Sequence, residues 1–229
     1  MEIAYDVHMT TSTPPRRRKP RGSITADGIL DAAEALATES VDAITVRAVT
    51  ARLEASPMAF YRHFATKEAL VDALLDRVLG RFEPPPTTDD WVVDLEAFAV
   101  NHRRLLTDHP WAITGLFARP NPGLNATRIG EEALRILDRG GIRGEYAVVT
   151  FSALIALNYG WSGFAARRQP AGEEDDDRPA VEALIRSLPA DAFPLTVAVA
   201  APMSDYGSDA HYRAALLALL AGIDAERQA

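Results

Sequence analysis

From Thr25 onward the apolar residues fall at Ile29, Leu30, Ala33, Leu36 and Ala37, the three–four spacing of a helix with one buried face. Thr25 stands where an N-cap belongs, and Asp27 suits the positive end of the helix dipole. The stretch "SVDAI" (40–44) interrupts the pattern, and Thr45 then opens a second short helix carrying Val46, Val49 and Leu53. Glu54 and Ala55 form a tight connection. Ser56 reads as an N-cap and Pro57 as the first residue of a third short helix, where a missing N–H costs nothing. That helix is expected to run to about Phe64. Thr66 caps a fourth, whose apolar stripe of Leu70, Val71, Leu74, Leu75, Val78 and Leu79 stops at Gly80.

The prolines of "EPPPTTDD" (83–90) cannot continue a helix. Beyond them the spacing predicts helices over 91–107, 126–139, 146–168, 179–187, 190–199 and 210–225, with a shorter piece in "HPWAITGLF" (109–117). In the first of these, Trp91, Leu95, Phe98, His102 and Leu105 share one side. The segment "FPLTVAVA" (193–200) has the composition of a strand but no partner strand nearby. "QPAGEEDDDRP" (169–179) reads as an acidic, mobile loop. The pattern is all-α.

Composition and charge add to this picture. The chain has 229 residues, 48% hydrophobic and 24% charged, as ordinary globular domains do. It contains no cysteine, which excludes disulfides and thiolate metal sites. No apolar run is expected to approach the length of a bilayer span, and no secretory h-region precedes the first helix, so a cytoplasmic location is expected. The formal net charge of −8 is unevenly spread. Residues 14–82 hold 11 Lys/Arg against 9 Asp/Glu, whereas 83–229 hold 13 against 21. The positive excess sits in "RRRKPR", at Arg16, Arg17, Arg18, Lys19 and Arg21.

Two short helices joined by a tight turn and supported by a longer first helix form a helix-turn-helix pattern, whose second member places its N-terminal residues against base edges in the major groove. The stretch "SPMAFYRHFATKEAL" (56–70) crowds aromatic and cationic residues into that position. Phe60 and Phe64, four apart, share an inward face, while Tyr61, Arg62 and His63 project outward. Lys67 opens the following helix.

With "ILDAAEALATES", "ITVRAVTARLEAS" and "FYRHFATKEALVDALL" in this order, the region from about Ile24 to Leu79 resembles the TetR family of bacterial transcriptional regulators. The resemblance implies that Thr45, Tyr61 and Lys67 contact phosphates, that Met58, Ala59 and Arg62 lie nearest the bases, and that His63 lies near the backbone. Arg47, Ser56 and Pro57 complete the DNA-facing set. It also turns the arginine-rich arm into a DNA contact, in the minor groove or along phosphates. Two positions depart from the family pattern: Glu54 where the turn usually holds glycine, and Thr50 where a small alanine is usual.

The implied organisation is a disordered basic arm (1–22), a three-helix helix-turn-helix DNA-binding domain (23–80) and a larger helical ligand-binding and dimerisation domain (81–229). The order of elements in the last, with a Trp-led helix, paired Arg103 and Arg104 and a terminal "ALLALLAGI" helix, resembles the tetracycline-repressor branch. Its last two long helices would form the dimer seam. Phe98, His102, Trp111, Phe117, Asn158 and Trp161 are the candidate pocket residues, apolar walls with few polar groups. His102 and His109 stand seven apart with no third ligand, and no metal or cofactor is expected. The chain lacks nucleophile-elbow and phosphate-loop motifs, which argues against an enzyme. The expected protein is a homodimeric repressor released from a palindromic operator by a small molecule. The alternative is a helical binding or scaffold protein whose DNA binding is weak or lost.

Overall fold

The computed structural model describes residues 24–119, 123–168 and 177–228. The arm carrying Arg16, Arg17, Arg18, Lys19 and Arg21, and most of the acidic run from Glu173, lie outside the described residues. Those described are helical throughout, with no strand among them. α1 (Ala26–Ala37), α2 (Val46–Arg52), α3 (Pro57–Tyr61) and α4 (Lys67–Leu79) come first, with a 3-10 turn at Val41–Ala43. They enclose a small core of Ile29, Leu30, Ala33, Ile44, Val49, Phe60, Phe64, Leu70 and Leu74. α5 (Trp91–Asp108), α6 (Pro110–Ala118), α7 (Leu124–Arg139), α8 (Gly144–Arg168) and α12 (Asp209–Gln228) enclose a second, larger one. α9 (Arg178–Arg186), α10 (Pro194–Ala198) and α11 (Ala200–Ser204) pack on one another at one corner.

α4 belongs to both cores. Leu70 and Leu74 face the first, while Leu75, Val78 and Leu79 face the second. Trp111 of α6 packs against both. Polar contacts tighten the joint: Asp72 of α4 meets Arg119 at 2.6 Å, and Arg81 grips Glu34 of α1 through two bonds of 2.6 and 2.8 Å. The bonds from Arg81 hold the Glu34 carboxyl below its usual range. At the far end, Asp94 is buried and accepts from Thr88 and from Arg139 at 2.5 Å, which clamps the proline segment to α5 and α7.

Several elements differ from the sequence expectation. α3 ends at Tyr61 rather than Phe64, because the chain tightens there: the N–H groups of His63 and Phe64 both reach the Phe60 carbonyl, at 2.9 and 3.1 Å. Ser56 has extended backbone but its side chain makes no capping bond. The single helix expected over 190–199 is instead α10 and α11, with a break at Val199. Pro202 has no N–H for the Ala198 carbonyl, and its ring crowds that carbonyl. The strand alternative for this segment does not hold. Gly80 is right-handed at φ −64°, so its role is spatial: a Cβ there would lie 2.9 Å from Asn125 Nδ2.

The expectation that no stretch approaches a membrane span also fails. Gly144–Ala166 is 23 residues long with a mean hydropathy of 1.3. In this fold it packs on α5, α6, α7 and α12 along one side, burying the polar side chains of Thr150, Asn158 and Ser162, and leaves Val148 and Val149 exposed on the other.

Candidate nucleic-acid interface and ligand cavity

The amino-terminal helices are set by local capping. Thr25, Thr45 and Thr66 each accept, through Oγ1, a backbone N–H three residues on, all at 3.0 Å. Between α2 and α3 the Ala55 N–H reaches the Thr50 carbonyl at 2.9 Å, and the Glu54 N–H reaches Ala51 at 3.2 Å. These are the two bonds of a Schellman motif, which needs a left-handed residue between them. Glu54 supplies it at φ 51°. The same motif closes α7, where Gly141 occupies the position at φ 79°. The turn has therefore not been remodelled to suit the glutamate. Thr50 is accommodated by donating its hydroxyl to the Val46 carbonyl at 2.8 Å.

Left-handed geometry costs a non-glycine residue about 1–2 kcal/mol, offset by glycine's greater loss of freedom on folding. Glu54→Gly is thus expected to raise stability by up to about 1 kcal/mol and, by removing a negative charge beside α3, to strengthen binding to any DNA sequence. Denaturant midpoints and DNA titrations check both effects; a lower midpoint would show that the glutamate is not strained.

Phe60 and Phe64 point into the core, with rings 5.9 Å apart. The opposite face of α3 presents Met58, 73% exposed, and Tyr61, 50% exposed. Thr45, Arg47, Ser56, Pro57, Arg62 and His63 are exposed around them, with Ala59 and Lys67 half-buried. The electrostatics of this face depend on where the acids go. Asp31 and Glu34 pair with Arg77 and Arg81, Asp72 with Arg119, and Asp76 turns toward α7. Arg47, Arg52, Arg62 and Lys67 make no ion pair among the described residues. Among those residues the helix-turn-helix thus carries four cations without an ion pair, alongside the exposed Met58 and Tyr61, with Glu54 and Glu68 likewise unpaired.

A cavity of about 330 Å³ lies in the second core. Leu79 of α4, His102 of α5, Leu116 and Phe117 of α6, Ala126 and Ile129 of α7, and Phe151, Ser152, Ile155, Ala156 and Tyr159 of α8 line it. Of the six pocket residues expected from the sequence, His102 and Phe117 are here, Phe117 at 59% exposure. The other four lie outside the lining. Phe98 is fully buried and stacks parallel to His102 with ring centres 6.2 Å apart. Trp111 bridges the two cores, and Trp161 donates Nε1–H to the Ser208 carbonyl at 3.2 Å. Asn158 is buried behind the wall, bonded to Ala99, His102 and Tyr212.

The α8 wall was missed because that helix is apolar nearly all round, so periodicity marks no face. Burial drives the His102 imidazole down to about 4 and the Tyr159 phenol up to about 12. Both are neutral at physiological pH, and no charged side chain lines the cavity.

His109 faces away, bonded through Nδ1 to the Leu105 carbonyl and through Nε2 to Arg81. No metal-ligating cluster occurs among the described residues.

Asp76 links the two halves. Its carboxylate accepts the backbone N–H of Asn125 at 2.8 Å and of Ala126 at 3.3 Å, and Asn125 Nδ2 at 3.0 Å. Gly123, at the N-cap of α7, has no side chain to do this. A Cβ on Gly123 would lie 2.6 Å from Asp76. α4 therefore caps α7 from outside, one turn before Leu79 meets the cavity.

Comparison with known proteins agrees with both halves. Residues 29–74 match the family model described as bacterial regulatory proteins, tetR family, and residues 83–227 match that of the tetracyclin repressor-like C-terminal domain. An HTH-type transcriptional regulator of Saccharopolyspora erythraea is 32% identical over 64% of this chain and 62% of its own length. The HTH-type transcriptional repressor DrrR1 of Streptomyces coeruleorubidus is 31% identical over 77% of this chain and 66% of its own. The matched stretches thus span less than two thirds of these relatives. The crystal structure of apo ActR from Streptomyces coelicolor superposes with a TM-score of 0.80 at 23% identity, covering 90% of this chain and 97% of that one. ActR in complex with actinorhodin superposes at 0.79 with 25% identity, covering 88% and 95%. With a cationic helix-turn-helix at one end, a cavity-bearing helical core at the other and both family models matched in order, the chain belongs to the TetR family of bacterial regulatory proteins.

Proposed function

We propose that this protein is a homodimeric DNA-binding transcriptional regulator, a repressor released from a near-palindromic operator by a small molecule in the bacterial cytoplasm. The DNA-binding unit ends at about residue 80, and the ligand-binding and dimerisation unit follows it. The observation that carries the reading is α4: one helix shares a core with Phe60, the anchor of α3, through Leu70 and Leu74, and also forms part of the cavity wall through Leu79. A ligand in the cavity touches the element that positions the DNA-binding face, so differential affinity for two α4 positions becomes differential affinity for DNA. The relatives are regulators by name, and ActR has been solved with actinorhodin bound.

Dimerisation through α8 and α12 is supported by what those helices leave uncovered. α12 exposes Ala214, Leu217, Ala218, Ala221, Gly222 and Ala225, an unbroken apolar face. α8 exposes Val149, Ser152 and Ala156 in line with Gly160 and Gly163, beside which an added Cβ would meet nothing within 4 Å. Such faces are those of helices that pack against a second chain. A two-fold pair would set two α3 helices in successive major grooves. The basic arm would add phosphate contacts.

Selection from a random DNA pool with the purified protein tests this. A near-palindrome bound by two chains per duplex is expected. Arg62→Ala should weaken selected DNA by about 1–3 kcal/mol while costing much less on unselected DNA. Failure to enrich any sequence at low salt would overturn the reading in favour of a helical binding protein without DNA function.

A further inference from the structure

The cavity's chemistry is decided by a hydrogen-bond chain behind its wall. Asn158 Nδ2 lies 2.9 Å from the Ala99 carbonyl oxygen and 3.0 Å from His102 Nδ1, while its Oδ1 accepts the Tyr212 hydroxyl at 2.8 Å. A carbonyl oxygen can only accept, so the amide nitrogen must face Ala99 and the Asn158 side chain has one orientation. The second proton of that nitrogen then points at His102 Nδ1, which must be the acceptor. A neutral imidazole carries one proton, and with Nδ1 accepting it resides on Nε2. The ring is neutral because it is buried among Phe82, Phe98 and Tyr159, with no charged group on the cavity wall. Nε2 has no partner among the described residues, yet it is not among the buried polar atoms sealed from solvent. It opens to the cavity that His102 lines.

On the reading that this cavity is the effector site, we propose that the Nε2–H of His102 is its specificity-determining donor, and that the effector is an uncharged, flat aromatic molecule anchored by a carbonyl oxygen. The remaining lining supports each part. Phe117, Phe151 and Tyr159 offer ring faces and edges, and Leu79, Leu116 and Ile129 offer apolar contact. A charged ligand would have to shed its hydration without a countercharge on the wall. A hydrocarbon would leave the His102 proton unbonded once water is displaced, whereas a carbonyl oxygen satisfies it.

The test uses two inert tricyclic probes that differ by one oxygen, 9-fluorenone and fluorene. Direct titration should show wild-type protein binding fluorenone about two- to tenfold more tightly than fluorene. His102→Phe should bind both about equally, and His102→Gln, which keeps a donor, should retain part of the preference. Independently of any variant, ¹⁵N spectra of histidine-labelled wild-type protein should show the His102 proton on Nε2, with that resonance moving on addition of fluorenone and not of fluorene. Equal binding of the two probes by wild-type protein, an undiminished preference in His102→Phe, or a proton on Nδ1 would overturn the donor assignment alone. Binding of neither probe would overturn both the assignment and the effector-cavity reading.

Discussion

Phe60→Ala is expected to destabilise the amino-terminal core by about 3–5 kcal/mol and to abolish DNA binding near physiological temperature. Phe60 is fully buried, meets Phe64 at 5.9 Å and Tyr61 at 5.4 Å, and is the one fully buried side chain of α3. α3 has five residues, too few to hold helical form without tertiary packing. Losing its anchor therefore releases Met58, Tyr61 and Arg62 together. The core it fills is small, so neighbouring side chains have little scope to close the void. Because the second core meets the first only through α4 and Trp111, and Leu75, Val78 and Leu79 of α4 pack in the second core rather than with Phe60, probe binding in the cavity should survive. Denaturation followed by circular dichroism, with DNA and fluorenone titrations on the same sample, gives the three readings. An unchanged midpoint with intact DNA binding would show that Phe60 is not the anchor.

Asp76→Ala is expected to separate ligand binding from DNA release. The substitution removes a carboxylate that accepts two backbone N–H groups at the start of α7 and the Asn125 amide. With Gly123 at the N-cap, nothing local replaces it. The loss of a cap and of charge-assisted bonds predicts about 2–3 kcal/mol of destabilisation. The functional effect is separable from this. α7 contributes Ala126 and Ile129 to the cavity wall, so Asp76 ties a cavity-lining helix to α4, which shares a core with α3. Cutting the tie should leave ligand and DNA affinities measured separately within about threefold, while reducing the effect of one on the other by about tenfold.

Asp76→Ala combined with Gly123→Ser distinguishes the two effects. The vacated carboxylate makes room for a side chain that otherwise meets Asp76 at 2.6 Å. The serine restores a cap to α7 without restoring the link to α4. Stability should largely return and coupling should not. Full ligand-driven release in either variant would place the transmission elsewhere, at Asp72–Arg119 or in the Leu75–Leu79 packing.

Much of the amino-terminal half is legible in the sequence because its determinants are local. Thr25, Thr45 and Thr66 are separate caps that act on an N–H three residues away. Phe60 and Phe64 share a face by helical spacing, which places Tyr61 on the other. Even the anomaly at Glu54 is readable, since the turn demands a left-handed residue whatever its side chain. The end of α3 was not readable, because it depends on tightening around the Phe60 carbonyl as Phe64 tucks into the core.

The cavity was much less legible, and for a physical reason. It is the space left between five helices, and no single stretch specifies where side chains fail to meet. α8 is apolar on nearly every side, so its pattern could not say that Phe151, Ile155 and Tyr159 face the void while Asn158 stands behind it. The pairing of the acids was equally hidden. Asp72 and Asp76 find partners 47 and 49 residues away, which no local spacing announces.

By itself, then, the sequence determined the all-helical pattern, the threonine caps of α1, α2 and α4, the inward and outward faces of the helix-turn-helix and the kinship that these carry, since all depend on neighbours three or four residues apart. The tertiary structure alone decided the cavity, the ring nitrogen that carries the His102 proton and the Asp76 link, because each arises where residues remote in the chain are packed together.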